Sequence, residues 1–354
     1  MFYRENGQFK SSYAADQQLL PIRQDRIFMF ALVAFAFVVV PLVVSDYIFL
    51  SLLIPFLILA LAAIGLNLVV GYCGQISIGH AAFMAVGAYA AYNFVLRVPQ
   101  LNFLVVLVLA GLVAAAVGML FGIPSLRIKG LYLAVATLGA QFFMDWLFAR
   151  VKWFTNYSHS GSVQTAPIEL FGWTIDTPPE KYAFVLAVLI LLTVIARNLV
   201  RGHIGRAWMA MRDMDVAAEV IGIRPVYAKL SAFAVSSFYV GVAGALWGFV
   251  HLGSWEPLAF NLTLSLNLLF MIIIGGMGSI LGSFFGAAFI VVLPILLNQL
   301  PQSLGIPMST AMASHLEFMI FGALIVFFLI AEPHGLARLW AVGKEKMRLW
   351  PFPH

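Results

Sequence analysis

The stretch from residue 47 to residue 70 reads YIFLSLLIPFLILALAAIGLNLVV and decides the fold class. It contains no charged side chain, and it is longer than the roughly 20 residues that an α-helix needs to cross a bilayer. In lipid, a helix satisfies every backbone hydrogen bond within the segment, whereas an open strand edge does not. The stretch therefore predicts a transmembrane helix.

Nine further apolar stretches share this composition. They lie near residues 27–45, 76–96, 101–121, 131–149, 182–200, 229–251, 262–280, 282–300 and 316–331. Hydrophobic residues make up 62% of the chain and charged residues 10%, whereas a soluble domain devotes about a quarter of its residues to charged side chains. The sequence therefore predicts an all-α integral membrane protein with about ten transmembrane helices.

Glycine-rich turns near 71–75 and 275–281 make the number of spans less definite. Such sequence also fits broken or re-entrant helices that do not cross the membrane fully. We therefore expect eight to ten spans. Each turn follows a Leu-Asn-Leu triplet, at Leu66 and at Leu266, which fits either two duplicated halves or a chance similarity between apolar segments.

Lysine and arginine residues predict the orientation, because they accumulate in cytoplasmic segments. With the amino terminus placed inside, only four of the 20 Lys and Arg residues fall in external segments. Those four are Arg97, Arg150, Lys152 and Lys181. The basic residues are scattered between spans, so the net charge of +5 reflects topology and not nucleic-acid binding.

This orientation defines three parts of the chain. We predict a cytoplasmic amino-terminal tail at 1–26, a transmembrane domain at 27–333 and a cytoplasmic carboxy-terminal tail at 334–354. The first 26 residues are rich in charges and lack the short apolar core and cleavage site of a secretory signal. The tail is therefore predicted to be retained.

Two hydrophilic segments interrupt the apolar pattern. The external segment, at about 150–181, is rich in turn-forming residues and is predicted to face a delivered substrate or an external partner. The internal segment, at about 201–228, contains a predicted amphipathic helix from Ala207 to Ile221 that stops at Gly222.

The internal helix carries charges around a short apolar face. The apolar face is formed by Met209, Ala210, Val216, Ala217, Val220 and Ile221, and the charges are Arg206, Arg212, Asp213, Asp215, Glu219 and Arg224. An apolar helix face of this kind docks into a groove of a partner domain, and the charges set its register. The alternative is a solvated helix whose arginines only follow the topology rule.

The run from Gly71 to His80, together with one residue of the preceding turn, holds the polar side chains that we expect to line a translocation path. They are Asn67, Gln75, Ser77 and His80. The alternative is that they bond to neighbouring helices and to backbone groups freed by the glycines. For His80 taken alone, that alternative is the favoured interpretation.

Several classes of chemistry lack the residues they need. There is no G-x-x-x-x-G-K-[ST] phosphate loop, so the chain is not expected to bind or hydrolyse ATP. No grouping of side chains suggests a catalytic site or a metal site, and a single cysteine, Cys73, excludes an intrachain disulfide. We therefore predict no catalytic residue, no metal and no cofactor bound by this chain, and a membrane-embedded enzyme is disfavoured.

Charged groups within the spans are almost absent, although ion-coupled carriers need them. Asp145 and Glu317 lie near span ends, and His80 is the other titratable candidate. Energy is therefore expected to come from a separate protein that grips the internal helix. The alternative is an ion-coupled secondary transporter of small organic solutes that uses His80 or Asp145 as its proton site.

Four runs resemble one known family. They are GLNLVVGYCGQISIGHAAFMAVGAYAA from Gly65, YLAVATLGAQF from Tyr132, GRAWMAMRDMDVAAEVIGIRPVYAKLSAFAVSS from Gly205 and IIGGMGSILGSFFGA from Ile273. Together they resemble the permease subunits of branched-chain amino acid ABC importers over about residues 50–335. The resemblance is closer to the second of the two permease types in such systems.

The resemblance implies a transport complex in the inner membrane of a bacterium. The expected partners are a second permease subunit, two cytoplasmic ATP-binding subunits that use ATP, a periplasmic substrate-binding protein and membrane lipid. The chain itself would be no enzyme. It would translocate branched-chain amino acids or related small amino acids, amides or carboxylates.

The resemblance also implies which residues contact the ATP-binding subunits. Those residues are Arg206, Arg212, Asp213, Asp215, Ala217, Ala218, Glu219 and Gly222. The general coupling motif of ABC importers has Glu-Ala-Ala followed by Gly, and here Val216 stands at the Glu position. The external loop departs more, because Tyr157–Val163 replaces the Thr-Gly-Gly-Ser-type run of many relatives, and this leaves the substrate open.

Overall fold

The computed structural model describes residues 11–12, 23–126, 130–158, 161–170, 172–303, 310–332 and 334–349 as a helical bundle. The helices are α1 Asp25–Val43, α2 Asp46–Tyr72, α3 His80–Arg97, α4 Phe103–Gly122, α5 Leu131–Arg150, α6 Pro178–Arg201, α7 His203–Asp213, α8 Asp215–Val220, α9 Pro225–Leu252, α10 Leu262–Gly275, α11 Ile280–Ser303, α12 Thr310–Ala331 and α13 Gly335–Leu349. Four short strands are β1 Val163–Gln164, β2 Ile168–Leu170, β3 Trp173–Ile175 and β4 Ser254–Trp255.

Each of the ten apolar stretches contains a helix. Eight helices of the described chain are long and apolar enough to cross a membrane, and the two other predicted stretches correspond to α3 and α12. The all-α membrane class and the range of eight to ten spans are therefore confirmed. The sidedness of the termini and the three-part division of the chain stay predictions, and most of 1–26 lies outside the described residues.

Helix α9 lies at the centre of the bundle, where it packs against α2, α3 and α4. A Cβ atom at Gly87 of α3 would overlap the backbone of Gly241 of α9. Glycine therefore lets the two backbones approach closely, as small residues do at helix contacts in membranes. Lipid is as apolar as the side chains, so this close packing is what holds α3 against α9.

The predicted single helix from Ala207 to Ile221 is wrong. Met214 has extended backbone angles, φ −159° and ψ 94°, and it separates α7 from α8. Helix propensity does not detect this break, because methionine and aspartate are both tolerated inside a helix. The change of direction at Met214 brings Ala218 of α8 to 2% exposure, so tertiary packing overrides local preference.

The segment at 150–181, which is predicted to be external, contributes three strands to two small antiparallel sheets. Strand β1 pairs with β4, with Val163 opposite Trp255, and β2 pairs with β3, with Glu169 opposite Thr174. The first sheet ties the external loop to the chain that follows α9. This part of the loop is therefore fixed to the bundle by backbone hydrogen bonds.

Candidate functional site

The first glycine break lies between α2 and α3 and consists of residues 73–79, which are not helical. Gly74 adopts φ +72°, a left-handed conformation that favours glycine. The amide of Gly74 donates to the Val70 carbonyl at 3.1 Å, and that of Gln75 donates to Val69 at 3.0 Å. These bonds satisfy carbonyls at the end of α2, so the helix ends cleanly here and the predicted break is confirmed.

The second glycine break lies between α10 and α11 and consists of residues 276–279. Gly276 has φ +122° and Gly278 has φ +76°. A Cβ atom at Gly276 would overlap the carbonyl oxygen of His334, which precedes α13. The carboxy-terminal segment therefore packs directly on this break.

Asn67 joins the two breaks. Its Nδ2 donates to the Ser279 carbonyl at 2.8 Å and to Ser283 Oγ at 2.9 Å, and its Oδ1 accepts from the Gly278 amide at 2.8 Å. The side chain is 1% exposed. Because the amide uses both its donor and its acceptor across the contact, Asn67 holds the end of α2 against the start of α11.

His80 lies between two hydroxyl groups. Its Nδ1 is 2.7 Å from Ser77 Oγ, and its Nε2 is 2.9 Å from Ser236 Oγ on α9. Ser77 and His80, two of the four predicted path residues, are each 1% exposed. The described residues place no carboxylate within hydrogen-bonding distance of the ring. In this conformation the ring links α3 to α9.

Gln75, the fourth predicted path residue, is also buried. Its Nε2 donates to Cys73 Sγ at 3.2 Å. Its Oε1 is buried and has no hydrogen-bond partner among the described residues. The described part of the first glycine break therefore contains one buried side-chain oxygen without a hydrogen bond, on the residue that bonds to the single cysteine.

Three polar residues that were not predicted from the sequence accept hydrogen bonds from backbone amides in the first break and in the first turn of α3. The Ile78 amide donates to Thr137 Oγ1, the Ala81 amide to Ser265 Oγ and the Ala82 amide to Gln141 Oε1, at 2.8–3.0 Å. The first amides of a helix have no partner within the helix. These side chains therefore stabilise the break from the opposite side. Thr137, Gln141 and Asp145 recur every fourth residue on α5, and this spacing on an apolar helix was the available signal.

A crevice of about 500 Å³ lies between α3, α4 and α5. Its walls are apolar except near Asn93 and Arg97, at the end of α3. None of the four predicted path residues lines it. The four predicted path residues form a buried polar layer at the two glycine breaks, and their place on a translocation path stays a prediction.

Helix α7 is anchored to the bundle. Trp208 is fully buried, and its Nε1 donates to Ser231 Oγ of α9 at 3.0 Å. Gly205 contacts the backbone of Val200 too closely for any side chain, and Met211 is 5% exposed. The buried residues recur at a spacing of three, so one face of α7 lies on α6 and α9.

Helix α8 presents an apolar patch, which we define as Met214, Val216, Val220 and Ile221. The exposed fractions of these side chains range from 68% to 83%. The helix ends in a Schellman motif, because the Gly222 amide donates to Glu219 and the Ile223 amide donates to Ala218, each at 3.0 Å. Gly222 has φ +92°, which confirms the predicted stop. A short helix is thus held in a fixed conformation with its apolar side outward.

Most of the residues predicted to contact the ATP-binding subunits lie at the surface, whereas two of them, Arg212 and Ala218, make inward contacts. Arg206, Asp213, Ala217, Glu219 and Gly222 are exposed, and Asp215 is half-buried at the start of α8. Ala218 is buried. Arg212 is partly exposed, but its Nη1 donates inward to the Gly71 carbonyl at 3.0 Å.

The chain matches the model of one known protein family. Residues 48–329 match the family model of the permease component of branched-chain amino acid transport systems. The chain belongs to this family. The matched region includes both glycine breaks, α7 and α8.

Individual relatives agree with the family match. The high-affinity branched-chain amino acid transport system permease proteins LivM of Salmonella typhimurium and Escherichia coli are each 31% identical to this chain over an alignment of 296 residues, and the alignment covers 77% of this chain. The chain spans 66% of the length of each of these two relatives. A probable branched-chain amino acid transport permease protein LivM of Methanocaldococcus jannaschii is 21% identical over 316 residues, covering 78% of this chain and 89% of that protein. No solved structure matches the chain.

Proposed function

We propose that the chain is the translocating permease subunit of an ATP-binding-cassette importer in a bacterial inner membrane. The observation that carries the proposal is the apolar patch of α8, which is exposed and yet fixed to the bundle through α7. Exposed apolar groups on a rigid support mark a docking surface. In this family such a surface is well placed to receive a cytoplasmic partner.

The partners follow from the division of labour. Two cytoplasmic ATP-binding subunits hydrolyse ATP, because this chain has no phosphate loop. A second permease subunit completes the path, and a periplasmic binding protein delivers the substrate to the external loop. The named relatives support branched-chain amino acids as the substrate, and related small amino acids, amides or carboxylates fit the same apolar spans.

The mechanism is alternating access. Closure of the ATP-binding subunits displaces α8, and α7 carries that displacement into the bundle because Trp208 and Gly205 pack without free space. The two glycine breaks supply backbone that changes conformation, as discontinuous helices do in transporters. Access then switches from one side of the membrane to the other.

The second candidate is an ion-coupled secondary transporter that uses His80 or Asp145. The structure is less favourable for proton binding at these residues, because their polar atoms already have partners. Both ring nitrogens of His80 contact serine hydroxyls, and Asp145 Oδ1 accepts a hydrogen bond from Gln141 Nε2 at 3.0 Å. No comparison favours this alternative.

Reconstitution distinguishes the two functions. The permease pair, its ATP-binding subunits and the binding protein are placed in proteoliposomes, and uptake of radioactive leucine is measured with ATP at the face of the ATP-binding subunits. We expect uptake that requires ATP and survives a protonophore. Concentrative uptake by the permease alone in a proton or sodium gradient contradicts the proposal.

A further inference from the structure

Arg212 occupies the position where the cytoplasmic helices meet the transmembrane breaks. We propose that Arg212 is a positioning residue that transmits the movement of α7 and α8 to both glycine breaks. This inference rests on the proposed function. It changes the role of Arg212 from a surface contact with the ATP-binding subunits to an internal link.

The guanidinium of Arg212 makes two contacts at once. Its Nη1 donates to the Gly71 carbonyl at 3.0 Å, in the last turn of α2. Its Nε and Nη2 both lie 2.9 Å from Oδ1 of Asp213. Asp213 is the last residue of α7, so the ion pair fixes the side chain to its own helix. The third nitrogen, Nη1, bonds to the last turn of α2, just before the first break.

The fit around Arg212 is close on both sides. A Cβ atom at Gly74 would lie 2.9 Å from Arg212 Cγ, and one at Gly278 would lie 3.2 Å from Arg212 Nη1. Glycine is required at both positions by the left-handed backbone, at φ +72° and φ +76°. The arginine therefore lies in a groove whose two walls are the two breaks.

Asn67 extends the contact to the second break. Gly278, which faces Arg212 Nη1, donates its amide to Asn67 Oδ1 at 2.8 Å. Asn67 lies one turn before Gly71, the acceptor of Arg212. A shift of Arg212 therefore moves the end of α2 and the start of α11 together.

The chemistry requires arginine at this position. Its planar group donates in two directions at fixed geometry, whereas a lysine ammonium is a single point at the end of a flexible stem. Lysine keeps the charge and retains either the carbonyl contact or the Asp213 contact. Glutamine removes the positive charge and the planar group that donates in two directions.

Cys73 provides a probe of the first break. It is the only cysteine of the chain, and it is 3% exposed. A thiol buried in apolar surroundings reacts slowly with a maleimide. Opening of the break therefore registers as faster labelling of Cys73.

The experiment compares labelling in two states of the complete transporter. The complex, with partner subunits whose own cysteines are replaced, is treated with N-ethylmaleimide without nucleotide and after trapping with ATP and vanadate. In the wild type we expect the labelling rate of Cys73 to change between the two states. In Arg212→Gln we expect that change to fall roughly tenfold, the factor that corresponds to a lost charge-assisted hydrogen bond. ATP hydrolysis should continue, and uptake per ATP should fall by a similar factor.

Three further variants distinguish the loss of the Arg212 contacts from a general loss of folded protein. Arg212→Lys should restore part of the response. Gly74→Ala disturbs the same contact from the opposite side and should reproduce the loss. Arg150→Gln removes an exposed arginine that contacts neither break, and it should leave the response unchanged.

The outcomes distinguish this inference from the proposed function. If wild-type uptake depends on ATP but Arg212→Gln keeps the labelling change and the uptake per ATP within twofold, the link through Arg212 is refuted and the proposed function stands. An unchanged Cys73 rate in the wild type also refutes it. If wild-type uptake does not depend on ATP, the proposed function fails first and the link fails with it.

Discussion

Helices α7 and α8 are separated by one residue and differ in how they meet their surroundings. Helix α7 buries Trp208 completely, whereas α8 leaves Val220 83% exposed. Helix α7 is packed against the bundle, whereas α8 has an apolar side exposed at the surface. If α8 docks on a partner as proposed, the anchored α7 supplies the rigid support that a docking surface needs.

The largest expected effect is on the anchored helix. Trp208→Ala removes a fully buried ring and its bond to Ser231, and such truncations cost about 3–5 kcal/mol in protein cores. We expect a large fall in the thermal stability of the detergent-solubilised protein. Trp208→Phe keeps most of the ring and should lose much less. Equal stability of Trp208→Ala and the wild type would contradict the anchoring role.

The next effect is on the presented helix and leaves stability almost unchanged. Val220→Asp places a charge in the apolar patch, and we expect less than about 0.5 kcal/mol of destabilisation because the site is exposed. Binding of the ATP-binding subunits should fall by roughly thirtyfold, the scale of a hot-spot residue. Val220→Ile is the matched control, and co-purification is the measurement. Normal binding of the aspartate variant would remove the patch from the interface.

The segment that contains α7 and α8 also shows which features the sequence predicts and which it does not. Apolar and glycine-rich stretches are local features of the sequence, so they predict the spans and the glycine breaks. Gly222 likewise predicts the end of α8. Met214 carries no such signal, because methionine is tolerated inside a helix and yet its backbone is extended here. The inward contact of Arg212 is equally invisible, since its acceptor, Gly71, lies 141 positions away.

The buried polar layer shows the same limit. Thr137 and Gln141 support the start of α3 through contacts between segments 59 positions apart. Single-sequence reasoning selected His80 and Ser77 because they stand beside the glycines. The spacing of Thr137 and Gln141 marks a polar face on α5, but only the helix contacts show that this face meets the start of α3.

The smallest expected effect concerns the end of the presented helix. Gly222→Ala introduces a side chain at φ +92°, with no neighbouring atom within 4 Å, so only backbone strain opposes it. We expect about 1 kcal/mol of destabilisation. The loss should be confined to α8 and weaken partner binding modestly. Gly139→Ala is the matched control, because that helical glycine also has no neighbour within 4 Å and alanine favours the helix. Comparable losses at both positions would contradict the strained cap.

The most direct test of the central claim asks what touches α8 in the assembled transporter. A photoreactive benzoylphenylalanine replaces Val220 in one variant and Leu258, which is 73% exposed after α9, in another. Under ultraviolet light we expect Val220 to cross-link to an ATP-binding subunit and Leu258 not to do so. A cross-link to that subunit from Leu258, or none from Val220, would contradict the claim that energy enters through α8.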